Sequence, residues 1–158
     1  MTLFLVQHGE AKPETEDPDR SLTDRGAEVV ERMADWAARM GMKVDEIRHS
    51  GKRRAEQTAT IFAKRLKPSR GMIAAQGLTP LDSVNPVAAS LQSEQDSIML
   101  VGHLPHLSRL VGMLVTGNPD TEVVRFRNAG IVCLAQKEAR WAIDWVMQPD
   151  LLAEASRP

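Results

Sequence analysis

One cysteine and no tyrosine are the plainest shortages in these 158 residues. Cys133 has no partner for an intrachain disulfide, and no Cys-x-x-Cys pair exists for metal or redox chemistry. It also cannot head a Cys-x5-Arg phosphatase loop, because Ala139 stands where the arginine would be. Without tyrosine there is no tyrosyl acid, base or nucleophile. Charge of one sign is missing as well: 20 Lys+Arg against 21 Asp+Glu leave a net charge of −1. That balance provides no bulk field for a general nucleic-acid binder and no anionic tail. Long apolar runs are absent too. Leu3-Phe4-Leu5-Val6 is too short for a signal peptide or a membrane span. The expectation is a soluble protein of a reducing, cytoplasmic compartment, with neither nucleic acid nor membrane as partner.

What is present is an ordinary globular composition, 42% hydrophobic and 26% charged, in a length suited to one core. Residues 1–150 read as one domain and Leu151–Pro158 as a polar tail that frays. Thr2–Val6 is a branched apolar run that predicts a strand buried on both faces. A polar loop from Lys12 to Ser21 leads to Thr23, a helix N-cap, and Ala27, Val30, Met33, Ala34, Ala37 and Met40 recur at helical spacing before Gly41. Val44–His49 and Ser97–Val101 predict further strands, and Met72–Ala75 a weak one. Lys52–Leu66, Asn85–Leu91 and Leu104–Val115 predict helices, the last with Pro105 in its first turn. Gly130–Ala135 and Trp141–Met147 alternate like paired strands around a turn at Lys137–Arg140. Alternating strands and helices imply a three-layer α/β/α domain on an open, mostly parallel sheet.

Polar residues collect at the ends of three of these strands: Gln7-His8-Gly9, Ser50 through Arg54, and Gly102-His103. Ligands of open α/β sheets bind outside the carboxyl ends of the strands, so two histidines and a basic cluster converge on one edge. His49 occupies no position that such a site requires and reads as structural or exposed. His103 and His106 form a His-x-x-His pair with no carboxylate or thiol placed to complete a zinc site, so no metal is expected and His106 reads as surface or cap. Lys52 and Arg53 fit a solvated helix start as well as a site. Gly51-Lys52 is not a Walker loop, because Glu46 stands where its first glycine would be. Met and Trp residues at regular spacing read as core, with Trp145 a candidate exception near a strand end.

Gln7-His8-Gly9-Glu10-Ala11 resembles the Arg-His-Gly-Glu-Ala opening of the histidine phosphatase, or phosphoglycerate mutase-like, superfamily. Leu22-Thr23-Asp24-Arg25-Gly26 resembles its Leu-Thr-x-x-Gly segment. Ser50 through Ala59 is similar to its Ser-x-x-x-Arg-Ala-x-Gln-Thr-Ala block, and Val101-Gly102-His103-Leu104-Pro105 to the segment bearing the second histidine. The short length, Leu78-Thr79-Pro80 and the ending Asp144 to Pro149 narrow the resemblance to the SixA-type phosphohistidine phosphatases. The resemblance implies a phosphoglycerate mutase-like fold and phosphoryl transfer through a covalent phosphohistidine on His8, without cofactor. Arg54 would offer a two-donor fork to the phosphoryl oxygens and His103 a hydrogen bond from the far side. Arg20 would be a further phosphate contact, Gly9 would let the backbone approach the phosphate, and Ser50 would add a hydrogen bond.

Two departures bear on that implication. The family motif has arginine where this chain has Gln7, a neutral amide in place of a charged five-donor fork. Gln7 therefore belongs to the phosphate-binding set with a weaker hand. No carboxylate fills the first position of Gly77-Leu78-Thr79-Pro80, where many members keep a general acid, and Asp82 is only a neighbouring candidate. A phosphohistidine leaves as imidazole through a weak P–N bond and needs less protonation than an alkoxide, which favours a phosphoramidate substrate. The chain lacks long insertions over the site, so the expected partner is a histidine-phosphorylated protein resembling a phosphotransfer domain. A phosphatase for small phosphoesters and a phosphate-binding pseudophosphatase remain the alternatives.

Overall fold

The computed structural model describes residues 1–155. Along them run β1 (Thr2–Gln7), α1 (Asp24–Arg39), β2 (Glu46–His49), α2 (Arg53–Leu66), β3 (Met72–Ala74), α3 (Asn85–Leu91), β4 (Ile98–Gly102), α4 (His106–Thr116), β5 (Ile131–Lys137), β6 (Arg140–Met147) and α5 (Pro149–Ala155). The strands form one sheet in the order β3-β2-β4-β1-β5-β6. β3, β2, β4 and β1 are parallel, and β5 turns antiparallel to β1 and to β6. The expected three-layer α/β/α architecture is the one observed.

Strict alternation along the central strands divides the core in two. Phe4 and Val6 of β1, with Met99 and Val101 of β4, face α1 and α2 through Val30, Met33, Ala59 and Phe62. Leu3 and Leu5, with Ile98 and Leu100, face α3 and α4 through Leu91, Leu107 and Leu110. Most of these side chains are fully buried. Each contributes about 1.5–3 kcal/mol relative to exposure, so β1 and β4 are locked in the middle of the molecule. Their carboxyl ends, where Gln7 pairs with Gly102, are correspondingly rigid.

α1 begins as the sequence predicts, with the Thr23 hydroxyl accepting the Gly26 N–H at 2.9 Å. The same hydroxyl donates to Glu10 Oε1 at 2.8 Å, and the Thr23 N–H to the Glu10 carbonyl at 3.0 Å. The helix start thus rests directly on the loop after β1. That approach requires two glycines: a Cβ on Gly26 would lie 2.2 Å from the Glu10 carbonyl oxygen, and one on Gly9 would lie 2.7 Å from Val30.

Several boundaries depart from the sequence pattern. α4 starts at His106 rather than Leu104, with Pro105 outside the helix as its N-cap. Val44, Asp45 and Ser97 lie outside their strands. Ser97 instead donates its N–H to the Asp45 carboxylate at 2.8 Å, joining the two strand entrances. The β5–β6 turn is only Glu138-Ala139, both left-handed at φ 51° and 62°, with Lys137 and Arg140 already paired in the strands. Where a tail from Leu151 is expected, α5 continues to Ala155 and its Leu152 packs against the α1/α2 core. Residues 156–158 of that expected tail lie outside the described residues. No described helix is long and apolar enough to cross a membrane.

Candidate active site

The carboxyl ends of β1, β2 and β4 meet as adjacent strands, and each delivers polar side chains to the same edge. His8 follows β1. Its N–H donates to the Gly102 carbonyl of β4 at 3.1 Å, which fixes the backbone of the residue against the neighbouring strand. Its Nδ1 lies 2.7 Å from the Gly9 carbonyl oxygen. A carbonyl can only accept, so the imidazole proton resides on Nδ1 and the Nε2 lone pair is left facing the site. Arg54, in the first turn of α2, aims its Nε at that Nε2 from 3.4 Å.

His103 follows β4 and stands beside His8 with ring centroids 5.0 Å apart and planes tilted by 52°. Its Nε2 is 2.6 Å from the Ser50 hydroxyl, and its buried Nδ1 has no hydrogen-bond partner. Ser50, between β2 and α2, therefore bridges the second and third strand ends. Arg20 arrives from the loop before α1. There the Asp17 carboxylate accepts the N–H groups of Asp19 and Ser21 and the Ser21 hydroxyl, and Arg20 adopts a left-handed φ of 50°. Arg20 Nε donates to the Lys12 carbonyl at 3.1 Å.

These positions produce a strongly perturbed pair of imidazoles. Burial, followed by the positive charges of Arg54 and Arg20, pushes His8 down to about 4 against the opposing bond to Gly9. Burial and then the neighbouring His8, Arg54 and Lys52 push His103 down to about 3. Arg54 is itself lowered, by burial first and then by Arg20. Cations that depress one another's basicity form a pocket short of negative charge, and an anion relieves it.

The sequence-predicted residues are thus distributed plainly. His8, Gly9, Ser50, Arg54 and His103 come together, and Arg20 is near enough to bias His8 and Arg54 electrostatically. Gln7 ends β1 with its backbone carbonyl accepting the Ala129 N–H at 2.8 Å, while its side-chain Oε1 is buried without a hydrogen-bond partner. Lys52 and Arg53 are solvent-exposed at the start of α2. His49 is structural, its buried Nδ1 accepting the Gly51 N–H at 3.1 Å to shape the Ser50 turn. His106 is a correction to the surface expectation: it is fully buried under the 77–83 loop, and burial lowers its pKa against the opposing Asp82 carboxylate. Asp82 accepts the Thr79 N–H at 2.9 Å, and the Thr79 hydrogen bonds hold its half-buried carboxyl below the usual range. Trp145 is no exception to the core pattern, packing edge-on to Trp36 at 5.6 Å.

Three supporting residues escape motif reasoning. Asn128 Nδ2 donates to the His8 carbonyl at 2.9 Å, from a chain position 120 residues away. Thr58 Oγ1 accepts the Gly9 N–H at 3.0 Å, and Gln57 Oε1 accepts the Leu22 N–H at 2.7 Å. The last two sit inside the Arg-Ala-x-Gln-Thr block, so the block itself was the available signal.

Comparison with known proteins agrees with this geometry. The model of the histidine phosphatase superfamily (branch 1) matches residues 3–79, the stretch that carries His8, Arg20 and Arg54. Over 156 residues the chain is 28% identical to the phosphohistidine phosphatase SixA of Escherichia coli strain K12, covering 94% of both chains. The chain is similar to the histidine phosphatase superfamily over residues 3–79 and to SixA over nearly its whole length. The fold superposes on a structure of the protein histidine phosphatase SixA complexed with tungstate at a TM-score of 0.86, with 28% identity, covering 96% of this chain and 99% of that one. A phosphoserine phosphatase of Entamoeba histolytica, in complex with 3-phosphoglyceric acid, has the same fold at a TM-score of 0.74 and 17% identity, over 93% of this chain and 96% of that one.

Proposed function

We propose that this protein is a phosphohistidine phosphatase that removes phosphate from a histidine-phosphorylated protein through a covalent intermediate on His8. The observation that carries the proposal is the His8 imidazole itself: proton on Nδ1 toward Gly9, and an unprotonated Nε2 that faces the site and accepts from Arg54 Nε at 3.4 Å. The depressed pKa keeps the ring neutral, so the nucleophile needs no deprotonation at physiological pH.

In the first step His8 Nε2 attacks phosphorus. The P–N bond of the substrate breaks, and its electron pair stays with the departing imidazole, which takes a proton from solvent at the open rim. Arg54 and Arg20 receive the equatorial oxygens as charge shifts onto them, and neutral His103, steadied by Ser50, contributes a hydrogen bond from beside the nucleophile. In the second step water attacks the phosphorus of phospho-His8, releasing inorganic phosphate and restoring the Nε2 lone pair. Asp82, held ionised by Thr79, is no proton donor at neutral pH, in keeping with an imidazole rather than an alkoxide leaving group. The rim suits a protein substrate: Leu104, directly after His103, and Leu81, beside Asp82, are exposed, as are Lys52 and Arg53. Likeness to SixA proteins over nearly the whole chain supports the same substrate class.

The test is a single-turnover reaction with a phosphotransfer domain labelled on histidine. Label transferred to this chain and then released as phosphate supports the proposal, and absence of transfer from any phosphohistidine donor refutes it. Gln7 favours one second reading, a phosphate-binding pseudophosphatase. Losing one transition-state donor costs ~3–4 kcal/mol, or about 10²–10³ in rate. Phosphate binding without turnover would select that reading, and faster release from sugar or nucleotide phosphates would select a small-phosphoester phosphatase.

A further inference from the structure

The hydrogen bonds around His8 close on themselves. The Thr58 hydroxyl donates to the Arg54 carbonyl at 2.8 Å and accepts the Gly9 N–H at 3.0 Å. The Gly9 carbonyl takes the His8 Nδ1 proton at 2.7 Å, and His8 Nε2 faces Arg54 Nε at 3.4 Å. Thr58 is fully buried, and Gly9 is buried too. The circuit therefore runs from Arg54 through Thr58, Gly9 and His8 back to Arg54 without a solvent-exposed link at the hydroxyl.

We infer that Thr58 is a positioning residue that selects the reactive tautomer of His8 and sets its distance to Arg54. This rests on the phosphatase reading of His8. A hydroxyl is needed at this position, because the site requires one acceptor for the Gly9 N–H and one donor toward the helix, and a single Ser or Thr oxygen supplies both. Anchoring the Gly9 nitrogen fixes the His8–Gly9 peptide plane, and one Cα further on the Gly9 carbonyl holds the proton on Nδ1. With the anchor gone, only the Asn128 bond to the His8 carbonyl still holds that plane, the Gly9 carbonyl can move off Nδ1, and the facing Arg54 N–H is left as the main bias against a proton on Nε2, the atom that must attack. Because the anchor is on the same helix as Arg54, one side chain governs both the tautomer and the approach of the guanidinium. Gln57 acts beside it on the Arg20 loop through Leu22.

The experiment compares wild type, Thr58→Val and Thr58→Ser as full chains. Long-range 1H–15N spectra assign the His8 tautomer, phosphate titration gives anion affinity, and single turnover with a histidine-phosphorylated phosphotransfer domain gives the rate of labelling. Wild type should hold the proton on Nδ1. Thr58→Val should raise the Nε2–H population above that of the wild type and label about 10²-fold more slowly, with phosphate affinity retained. Thr58→Ser should restore both tautomer and rate. A valine variant with wild-type tautomer and rate overturns the inference, as does a serine variant as impaired as the valine. If the valine variant does not fold, protection of the wild-type Gly9 amide from hydrogen exchange decides together with the serine variant, and an unprotected amide counts against Thr58. Failure of the wild type to take label refutes the phosphatase reading alone, since the tautomer comparison judges Thr58 independently.

Discussion

The pH dependence of His8 offers a demanding prediction. All four histidines lie below the ordinary imidazole range, with His8 at about 4 and His103 at about 3, and burial is the largest cause for each. An imidazole of ordinary pKa ~6.5 would be only about 10% neutral at pH 5.5, whereas one near 4 would be about 97% neutral. If neutral His8 is the nucleophile, the single-turnover rate, corrected for acid hydrolysis of the donor, should change little between pH 7.5 and 5.5 on this account. An ordinary histidine would lose about tenfold. The loss should come only as the pH falls toward 4. Ionisation of the phosphoryl group contributes its own limb, so an NMR titration of the His8 ring, assigned with His8→Ala, measures the group directly. The sign for stability follows from the same shift. The unfolded chain binds protons below ~6.5 while folded His8 does not, so stability falls as pH drops from 6.5 and the loss levels off below the folded value. For His8 alone that loss is on the order of 3 kcal/mol. A His8 titration midpoint near 6.5 would refute the burial argument and remove the reason for a standing neutral nucleophile.

Other expectations follow from named contacts. Gln7→Arg should raise the labelling rate by about 10²–10³ by restoring a charged donor and by removing a buried amide oxygen without a partner; an unchanged rate would show that Gln7 does not face the transition state. Arg54→Lys should lower the rate by at least about 10²-fold, because a single ammonium cannot replace the planar fork, and rapid-quench kinetics would show a lysine variant of wild-type speed if the fork is unnecessary. Gly26→Ala should destabilise the fold by about 1–3 kcal/mol in urea titration, since its Cβ meets the Glu10 backbone at 2.2 Å, and a neutral result would contradict the close seating of α1 on the His8 loop.

Much of the architecture was readable in the chain because single residues impose it. The two-faced apolar run Leu3–Val6 could only be a central strand, and Thr23 with Asp24 marked the start of α1 to the residue. What stayed hidden depended on tertiary geometry. Pro105 stands outside α4 as its N-cap, and His106, the first residue of the helix, lies in the interior, where its charged form is disfavoured. The helix Pro149–Ala155 goes with Leu152 packing on the α1/α2 core, which a polar composition does not announce. The convergence of His8, Arg54 and His103 was legible from strand ends and motif order. Asn128 was not, because its role is a single bond to the His8 carbonyl made across the fold. Thr58 and Gln57 stood within a visible motif, yet their targets, Gly9 and Leu22, appear only when α2 is laid against the two loops.

The central claim is that phosphate passes through His8. Quenching the single-turnover reaction at alkaline pH, where phosphohistidine survives, and mapping the labelled peptide tests it most directly. The account predicts one acid-labile phosphoryl group on the Nε2 of His8, transient in wild type and absent from His8→Ala. Phosphate release by His8→Ala at the wild-type rate, or label on any other residue, would contradict it.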